Sequence, residues 1–490
     1  MMLFITYQSK CFSGVKNLSI TYVIYVALIS ILCSCKKMVE TELPIDKNTS
    51  ETVFGNKSTA IAAMTGVYGR IGGADGCFTG ELGISVRAGF LSDEITPKVP
   101  QAYPEYLNEL KGSGSWASVL WITAYRDYIF QVNSILEGLE KSGSLPGSAK
   151  QILSAEAKFT RAWIYFYLVN FYGDVPLVLS TDFRVNSNIS RSSKALVYEQ
   201  IVKDLLYAQE NLTANYLDKN LENTVNERVR PNKVVATALL ARVYLFMGKW
   251  EMAEEEADKV INNPDIELLN DPDLVFLKDS REAIWQLQSN PLDQDGNNTP
   301  DGRWFINPFD GDPFFYLNPV LVQAFEENDI RKIAWTSLRP DNSIVAYKYK
   351  EGWGMGAQKE HTIVFRLAEQ YLIRAEARVH QNKLSGINSA ENDINVIRHR
   401  AGLPGKAGST REELIAAIEQ ERRIELFAEW GQRWLDLIRT NRVNKIMGEI
   451  SQEKGSTWES YKSLMPIPYE EFLYNKALIG HQNPGYTEQP

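Results

Sequence analysis

Residues 155–176 read Ala-Glu-Ala-Lys-Phe-Thr-Arg-Ala-Trp-Ile-Tyr-Phe-Tyr-Leu-Val-Asn-Phe-Tyr-Gly-Asp-Val-Pro. Ala155, Phe159, Ala162, Trp163, Phe166, Tyr167, Val169 and Phe171 cover most of a helical circumference, so a helix over residues 150–172 is expected to be buried on nearly all sides. Gly173 supplies the C-terminal cap conformation and Pro176 forbids continuation. Such a helix needs other helices around it.

Outward from that centre the apolar spacing stays helical. Periods run over residues 57–68, 115–139, 194–212, 231–247, 251–262, 367–381, 390–401, 411–429 and 433–444, with loops at 71–80 and 96–106. Pro231 suits a first helical turn, and Ala236, Ala238 and Ala241 offer a small-residue face. Gly248-Lys249-Trp250 then turns the chain into a helix carrying Ala253 and Ala257, which makes an antiparallel hairpin. Recurring hairpins of this kind predict a mainly all-α fold, a tetratricopeptide-like superhelix in which each hairpin buries its apolar face on the next. Residues 264–360 break the pattern with Pro264, Pro272, Pro291, Pro300, Pro308, Pro313, Pro319 and Pro340, and are expected to be an irregular, aromatic-rich insertion of loops and short strands. The expected organisation is residues 51–263 as an N-terminal helical part, 264–360 as the insertion, and 361–490 as C-terminal hairpins with a closing segment.

The 490 residues, 44% hydrophobic and 23% charged, exclude wholesale disorder and a multi-span membrane protein. A net charge of −9 argues against a nucleic-acid binder. Cys11, Cys33, Cys35 and Cys77 are too unevenly spread for a disulfide scaffold. Lys10 and Lys16 precede the uncharged stretch 18–33, a basic region followed by an apolar one. As a helix that stretch would reach about 24 Å, short of a hydrocarbon core of roughly 30 Å. It ends in Leu32-Cys33-Ser34-Cys35, which resembles a bacterial lipobox. The resemblance makes residues 1–34 a lipoprotein signal peptide, Cys35 the acylated anchor and 35–50 a tether, with the body held on a membrane by its lipid. Cys77 is then a lone thiol, expected to be a small buried residue.

Residues 155–179 resemble the hallmark helix and exit turn of the SusD/RagB family. Glu421-Arg422-Arg423-Ile424-Glu425-Leu426 with Glu429, Gly431, Arg433-Trp434, Asp436-Leu437 and Arg439 are similar to its carboxy-terminal signature. Pro466-Ile467-Pro468 followed by Gln482-Asn483-Pro484-Gly485-Tyr486 is similar to its closing motif. The resemblance implies a non-enzymatic surface lipoprotein of Bacteroidota-type bacteria. Such a protein binds a nutrient, usually a glycan oligosaccharide, and sits as a lid on a SusC-like TonB-dependent outer-membrane transporter. A peptide-binding member of the same family, a secreted glycoside hydrolase and a tetratricopeptide-like scaffold are the competing readings. Lys36 and Lys37 follow the anchor where many surface-exported relatives place acidic residues; Glu40 and Glu42 come slightly later.

Sugar rings need flat apolar faces to stack on and polar side chains to meet their hydroxyls. Asp301, Arg303, Trp304, Phe305, Asn307 and Tyr316 supply that mixture, beside Phe309, Asp310, Phe314 and Phe315; Tyr103, Tyr106 and Trp353 are further candidates. Trp116, Trp121, Trp163 and Trp434 lie on amphipathic helices and read as core. The acids of 421–439 invite comparison with a glycosidase carboxylate pair. However, Glu419 and Arg423, Glu429 and Arg433, and Asp436 and Arg439 have the spacing of helical ion pairs, so a structural network is expected and no catalytic residue. Asp293, Asp295, Asn297 and Asp301 alternate as in a calcium loop, yet Asn298 and Trp304 stand where the turn glycine and bidentate glutamate belong. His361, His380, His399 and His481 lack zinc spacing. Gly352-Trp353-Gly354-Met355-Gly356 lacks the flanks of a phosphate cradle. No cofactor is expected.

Overall fold

A computed structural model describes residues 50–73, 76–289, 298–306, 313–354 and 356–489. Cys35 and the apolar leader lie outside the described residues. Early helices are α1 (Lys57–Ile71), α2 (Ile84–Leu91), α3 (Trp116–Ile122), α4 (Phe130–Lys141) and the buried α5 (Gly147–Tyr172). They are followed by α6 (Lys194–Asn211), α7 (Lys233–Phe246) and α8 (Trp250–Ile261). After the irregular stretch and its short helix α9 (Pro300–Ile306) come α10 (Leu367–His380), α11 (Ala390–Arg400), α12 (Arg411–Glu425) and α13 (Gln432–Arg439). Each packs on its neighbour in series, α4 on α5, α5 on α6, α6 on α7, α7 on α8, α8 on α10 and α10 on α11 and α12. The fold is all-α with stacked hairpins, as the helical spacing predicts. Among the described residues no helix is long and apolar enough to cross a membrane.

Helix α5 is buried on nearly all sides because its aromatics meet rings from distant segments. Trp163 lies edge-on to Trp285 at 4.9 Å, to Phe78 at 5.3 Å and to Trp430 at 5.3 Å. Arg161 of the same helix is also inside, donating to Asp204 at 2.8 Å and to Asn133 at 2.8 Å, which ties α4, α5 and α6 together. Gly173 ends the helix at φ +73, a value other residues rarely adopt. Trp116, Trp121 and Trp434 are core as well, and Cys77 is buried, its thiol pushed up to about 12 by that burial.

Several helical boundaries differ from those expected; the 433–444 period, for one, is cut after Arg439, and a separate helix begins at Val443. Pro231 precedes α7; the Asn232 side chain caps the helix by accepting from the Val235 amide at 3.2 Å. The period over 115–139 is interrupted by a π-helical run, Thr123–Ile129, between α3 and α4. Helix α12 stops at Glu425 instead of 429, because Ala428, Trp430 and Gly431 turn left-handed at φ 55, 49 and 68. Left-handed backbone is costly for residues with a Cβ. Here it is held by Trp430, whose amide donates to Ser85 Oγ at 3.0 Å and whose indole donates to the Ile363 carbonyl at 2.5 Å.

The irregular excursion is rooted by a ladder. Strand β2 (Ala283–Leu287) pairs antiparallel with β4 (Thr362–Arg366), so the chain leaves and re-enters the helical stack at one buried seam. Strand β3 (Phe315–Leu317), within the excursion, pairs with β1 (Ile95–Pro97) in the register Thr96 opposite Tyr316. The excursion is thereby joined to α2 and the loop that follows β1.

The acids and arginines of 421–439 form a buried network, but not the one their spacing suggests. Asp436 and Arg439 pair at 2.7 Å. Glu429 instead meets Lys348 at 2.5 Å and Arg366 at 2.8 Å, Glu419 meets Arg442, and both Arg423 and Arg433 reach Asp93, at 2.8 and 2.7 Å. The cause is burial: inside the protein a guanidinium needs its full set of acceptors, and tertiary neighbours supply more than one helical turn can.

Candidate functional site

The site sits where the excursion meets α2 and the loop after β1. Phe315 of β3 is fully buried at its centre. Phe90 of α2 lies edge-on to it at 5.1 Å and Tyr103 at 5.8 Å. Trp304, on α9, stacks over Phe315 at 5.9 Å with 27° between planes and touches Phe314 at 5.3 Å and Trp353 at 5.9 Å. Trp353 is held by its indole N–H, which donates to the Arg303 carbonyl at 2.9 Å. Tyr103, Trp304 and Trp353 are half-buried and Phe314 is 40% exposed. Four rings from three segments thus offer aromatic surface around one buried ring.

That geometry depends on Asp301. Its Oδ1 accepts from the Gly80 amide at 2.7 Å, which fastens α9 to the loop preceding α2. Burial pushes its carboxyl up to about 6 despite the hydrogen bonds from Gly80 and Ser85. The next residue, Gly302, allows close approach: a Cβ there would lie 2.7 Å from the Glu351 carbonyl oxygen. The chain carrying Trp353 can therefore lie directly on α9.

The neighbouring loop adds polar groups. Tyr103 Oη donates to Glu81 Oε1 at 3.3 Å, and the Arg87 guanidinium sits 5.0 Å over the Tyr103 ring. Burial and then the Glu81 charge raise the Tyr103 hydroxyl above its usual pKa. Arg87 Nη1 donates to the buried Glu105 at 3.1 Å, while Glu105 also accepts from the Trp116 amide at 2.7 Å.

Of the residues singled out from sequence, Tyr103, Trp304 and Trp353 are brought together at this surface. Asp301, Arg303, Phe305 and Tyr106 are turned inward, each at most 5% exposed. Tyr106 lies beneath Lys454, whose Nζ stands 5.0 Å over the ring and donates to the Phe90 carbonyl at 2.7 Å. Tyr316 is half-buried, but successive side chains of a strand alternate, so it points away from the Phe315 face, toward the side of Thr96. Asn307, Phe309 and Asp310 lie outside the described residues. So do Asp293, Asp295 and Asn297 of the calcium-like spacing, whose fourth member, Asp301, is committed to Gly80. Among the described residues no group of three or more His, Cys, Asp or Glu could hold a metal ion. Sequence reasoning missed Glu81, because a single acid in a glycine-rich loop carries no periodic or motif signal.

Comparison with known proteins places this architecture. The SusD family model matches residues 328–486, and a second family model, described as starch-binding associating with outer membrane, matches 104–245. Together they span more than half of the chain. SusD-like protein P2 of Formosa agariphila is 27% identical over 96% of this chain and 100% of its own length. The starch-binding protein SusD of Bacteroides thetaiotaomicron is 34% identical over a shorter stretch, 25% of this chain and 21% of that protein. Among solved structures, a laminarin-binding SusD-like protein superposes with a TM-score of 0.72 at 23% identity, covering 88% of this chain and 100% of that one. The chain belongs to the SusD/RagB family.

Proposed function

We propose that the protein captures a glycan oligosaccharide on the surface formed by Tyr103, Trp304, Phe314 and Trp353, and delivers it to a SusC-like TonB-dependent transporter of the outer membrane. The observation that carries this reading is the set of part-exposed rings packed around the buried Phe315. Flat rings held from behind present apolar faces to the C–H side of a sugar without ordering themselves on binding. The names of the relatives, starch-binding and laminarin-binding, support the same ligand class. In this reading residues 1–34 are the removed signal peptide, Cys35 carries the lipid, residues 35–50 are the tether, and the excursion 264–360 is the ligand-binding part of the body.

The protein acts by binding and not by hydrolysis. The acids that could have formed a catalytic pair are spent on guanidinium groups. Burial alone would raise Glu425, yet Arg400, Arg366 and Arg331 hold its carboxyl well below the usual carboxylate range. A general acid needs the opposite shift; Glu421, which burial does raise, is held between Arg331 at 2.6 Å and Arg398 at 3.3 Å.

The test is a binding panel of neutral and acidic oligosaccharides and of peptides, read by calorimetry, with Trp304→Ala alongside. At least one glycan should bind without turnover, and Trp304→Ala should weaken it tenfold or more, the size of an aromatic hot spot. Binding of peptides alone, or full glycan binding by Trp304→Ala, would sink the reading. Co-purification of a TonB-dependent transporter with the tagged lipoprotein tests the partner.

A further inference from the structure

We infer that Glu81 is the specificity-determining residue of this surface and restricts its ligand to neutral, hydroxyl-rich oligosaccharides, excluding chains of uronic acids or sulfated sugars. The inference rests on the glycan-binding reading above and narrows it.

Three observations carry it. First, Glu81 is beside the rings: its Oε1 accepts from Tyr103 Oη at 3.3 Å, and the amide of the preceding Gly80 is fixed to Asp301, three positions before Trp304 on α9. Tyr103 and Trp304 in turn share contact with Phe315 at 5.8 and 5.9 Å. Second, the Glu81 side chain is 35% exposed, so it remains open to a ligand, whereas that of Glu105 is 1% exposed and engaged by Trp116 and Arg87. Third, the cation at this edge is already committed. The Arg87 side chain is 8% exposed, donates to Glu105 and to the Glu81 carbonyl at 2.9 Å, and lies 3.6 Å from the Glu81 carboxylate. One guanidinium between two carboxylates leaves the edge negative. At the other edge the Lys98 amide donates to the Phe314 carbonyl at 2.9 Å, and the Asp341 carboxyl, held down first by hydrogen bonds from Ser343, also feels the Lys98 charge.

A carboxylate is an acceptor without donors, so it forms charge-assisted hydrogen bonds with sugar hydroxyls. An anionic sugar would meet a like charge at this edge, where the Arg87 guanidinium is already held by Glu105 and Glu81.

The experiment uses the full-length chain in detergent micelles and compares glucose oligomers with matched galacturonic and glucuronic acid oligomers. The wild type should prefer the neutral oligomers at least tenfold. Glu81→Gln keeps an acceptor oxygen but removes the charge, and should cut that preference threefold or more without changing Tm. As a measurement that needs no variant, uronate binding by the wild type should strengthen with added salt while neutral binding stays constant. Equal or tighter uronate binding by the wild type, or an unchanged ratio in Glu81→Gln with neutral binding intact, overturns the assignment of Glu81 and leaves glycan binding standing. Binding of no glycan at all overturns both readings.

Discussion

Asp301 Oδ1 and the Gly80 amide, 221 positions apart in sequence, meet at 2.7 Å in a buried hydrogen bond. This contact joins the helix that carries Trp304 to the loop that carries Glu81, so the apolar and polar halves of the candidate site share one foundation. Removing the acceptor in Asp301→Ala leaves the Gly80 N–H without a partner, which costs about 1–3 kcal/mol. Glycan affinity should fall with it, although Asp301 touches no ligand. The comparison to make is Tm and affinity for Asp301→Ala against wild type.

The same residue gives a pH dependence of known sign. Its folded carboxyl, pushed up to about 6 by burial, holds its proton more tightly than the unfolded one near 3.8. The cost of ionising it is absent below about pH 4 and complete above about pH 6, so this residue lowers stability as pH rises through that window. Asp301→Asn keeps an acceptor oxygen and carries no charge. Its Tm relative to wild type should therefore rise between pH 4 and pH 7, and a constant difference would contradict the assignment.

Asp93 has the opposite sign. Burial would raise its carboxyl, but hydrogen bonding from Arg433 and the charges of Arg433 and Arg423 bring it down to about 2. Its contribution is present above about pH 4 and is lost as pH falls toward about 2. Asp93→Asn should lower Tm at neutral pH and converge on wild type in strong acid. Denaturant titrations at both extremes measure the two differences.

Gly302→Ala places a methyl 2.7 Å from the Glu351 carbonyl oxygen and 3.1 Å from Tyr349 Cβ. The Glu351 backbone and the Thr299 and Tyr349 side chains must shift, a strain of about 1–3 kcal/mol for overpacking. Because Glu351 leads directly to Trp353, ligand affinity should drop together with stability, and fluorescence of the site tryptophans should change.

Phe315→Ala and Trp304→Ala separate support from contact. Phe315 is fully buried, so its truncation should cost about 3–5 kcal/mol. Trp304 is half-buried, and its loss should reduce Tm far less while weakening glycan binding more strongly. Equal stability losses for the two would refute the view that Phe315 is the scaffold and Trp304 the contact.

Glu425 accepts from Arg331 at 2.8 Å and from Arg366 at 2.5 Å, and it also meets Arg400. Glu425→Ala would take one carboxylate from each of three buried guanidinium groups, leaving Arg331 to Asp329 and Glu421, Arg366 to Glu282 and Glu429, and Arg400 to Glu282 alone, and breaking a buried pair costs about 3–5 kcal/mol. Expression and Tm should both collapse. A Glu425→Ala protein of near-normal stability would mean the network is solvated.

The amino-acid sequence by itself determined the helical stack and its core. Amphipathic spacing and Gly/Pro stops are local quantities, and the helices lie where those quantities put them, from Lys57–Ile71 onward, except at ends such as that of Arg411–Glu425, which tertiary contacts of Trp430 cut short. Trp116, Trp121, Trp163 and Trp434 were legible as core for the same reason. Three of the candidate site residues, Tyr103, Trp304 and Trp353, could be named from composition, because aromatic residues in a proline-rich segment are rare enough to stand out. Tertiary structure alone decided their company. Strand pairing of Phe315–Leu317 with Ile95–Pro97 brought Trp304 near Tyr103 and turned Tyr316 the other way. Tertiary packing also took Glu429 from Arg433 and gave it to Lys348 and Arg366. Local spacing says which residues can meet along one helix, whereas a buried charge or ring is satisfied by whichever partners the packing brings, and those come from anywhere in the chain.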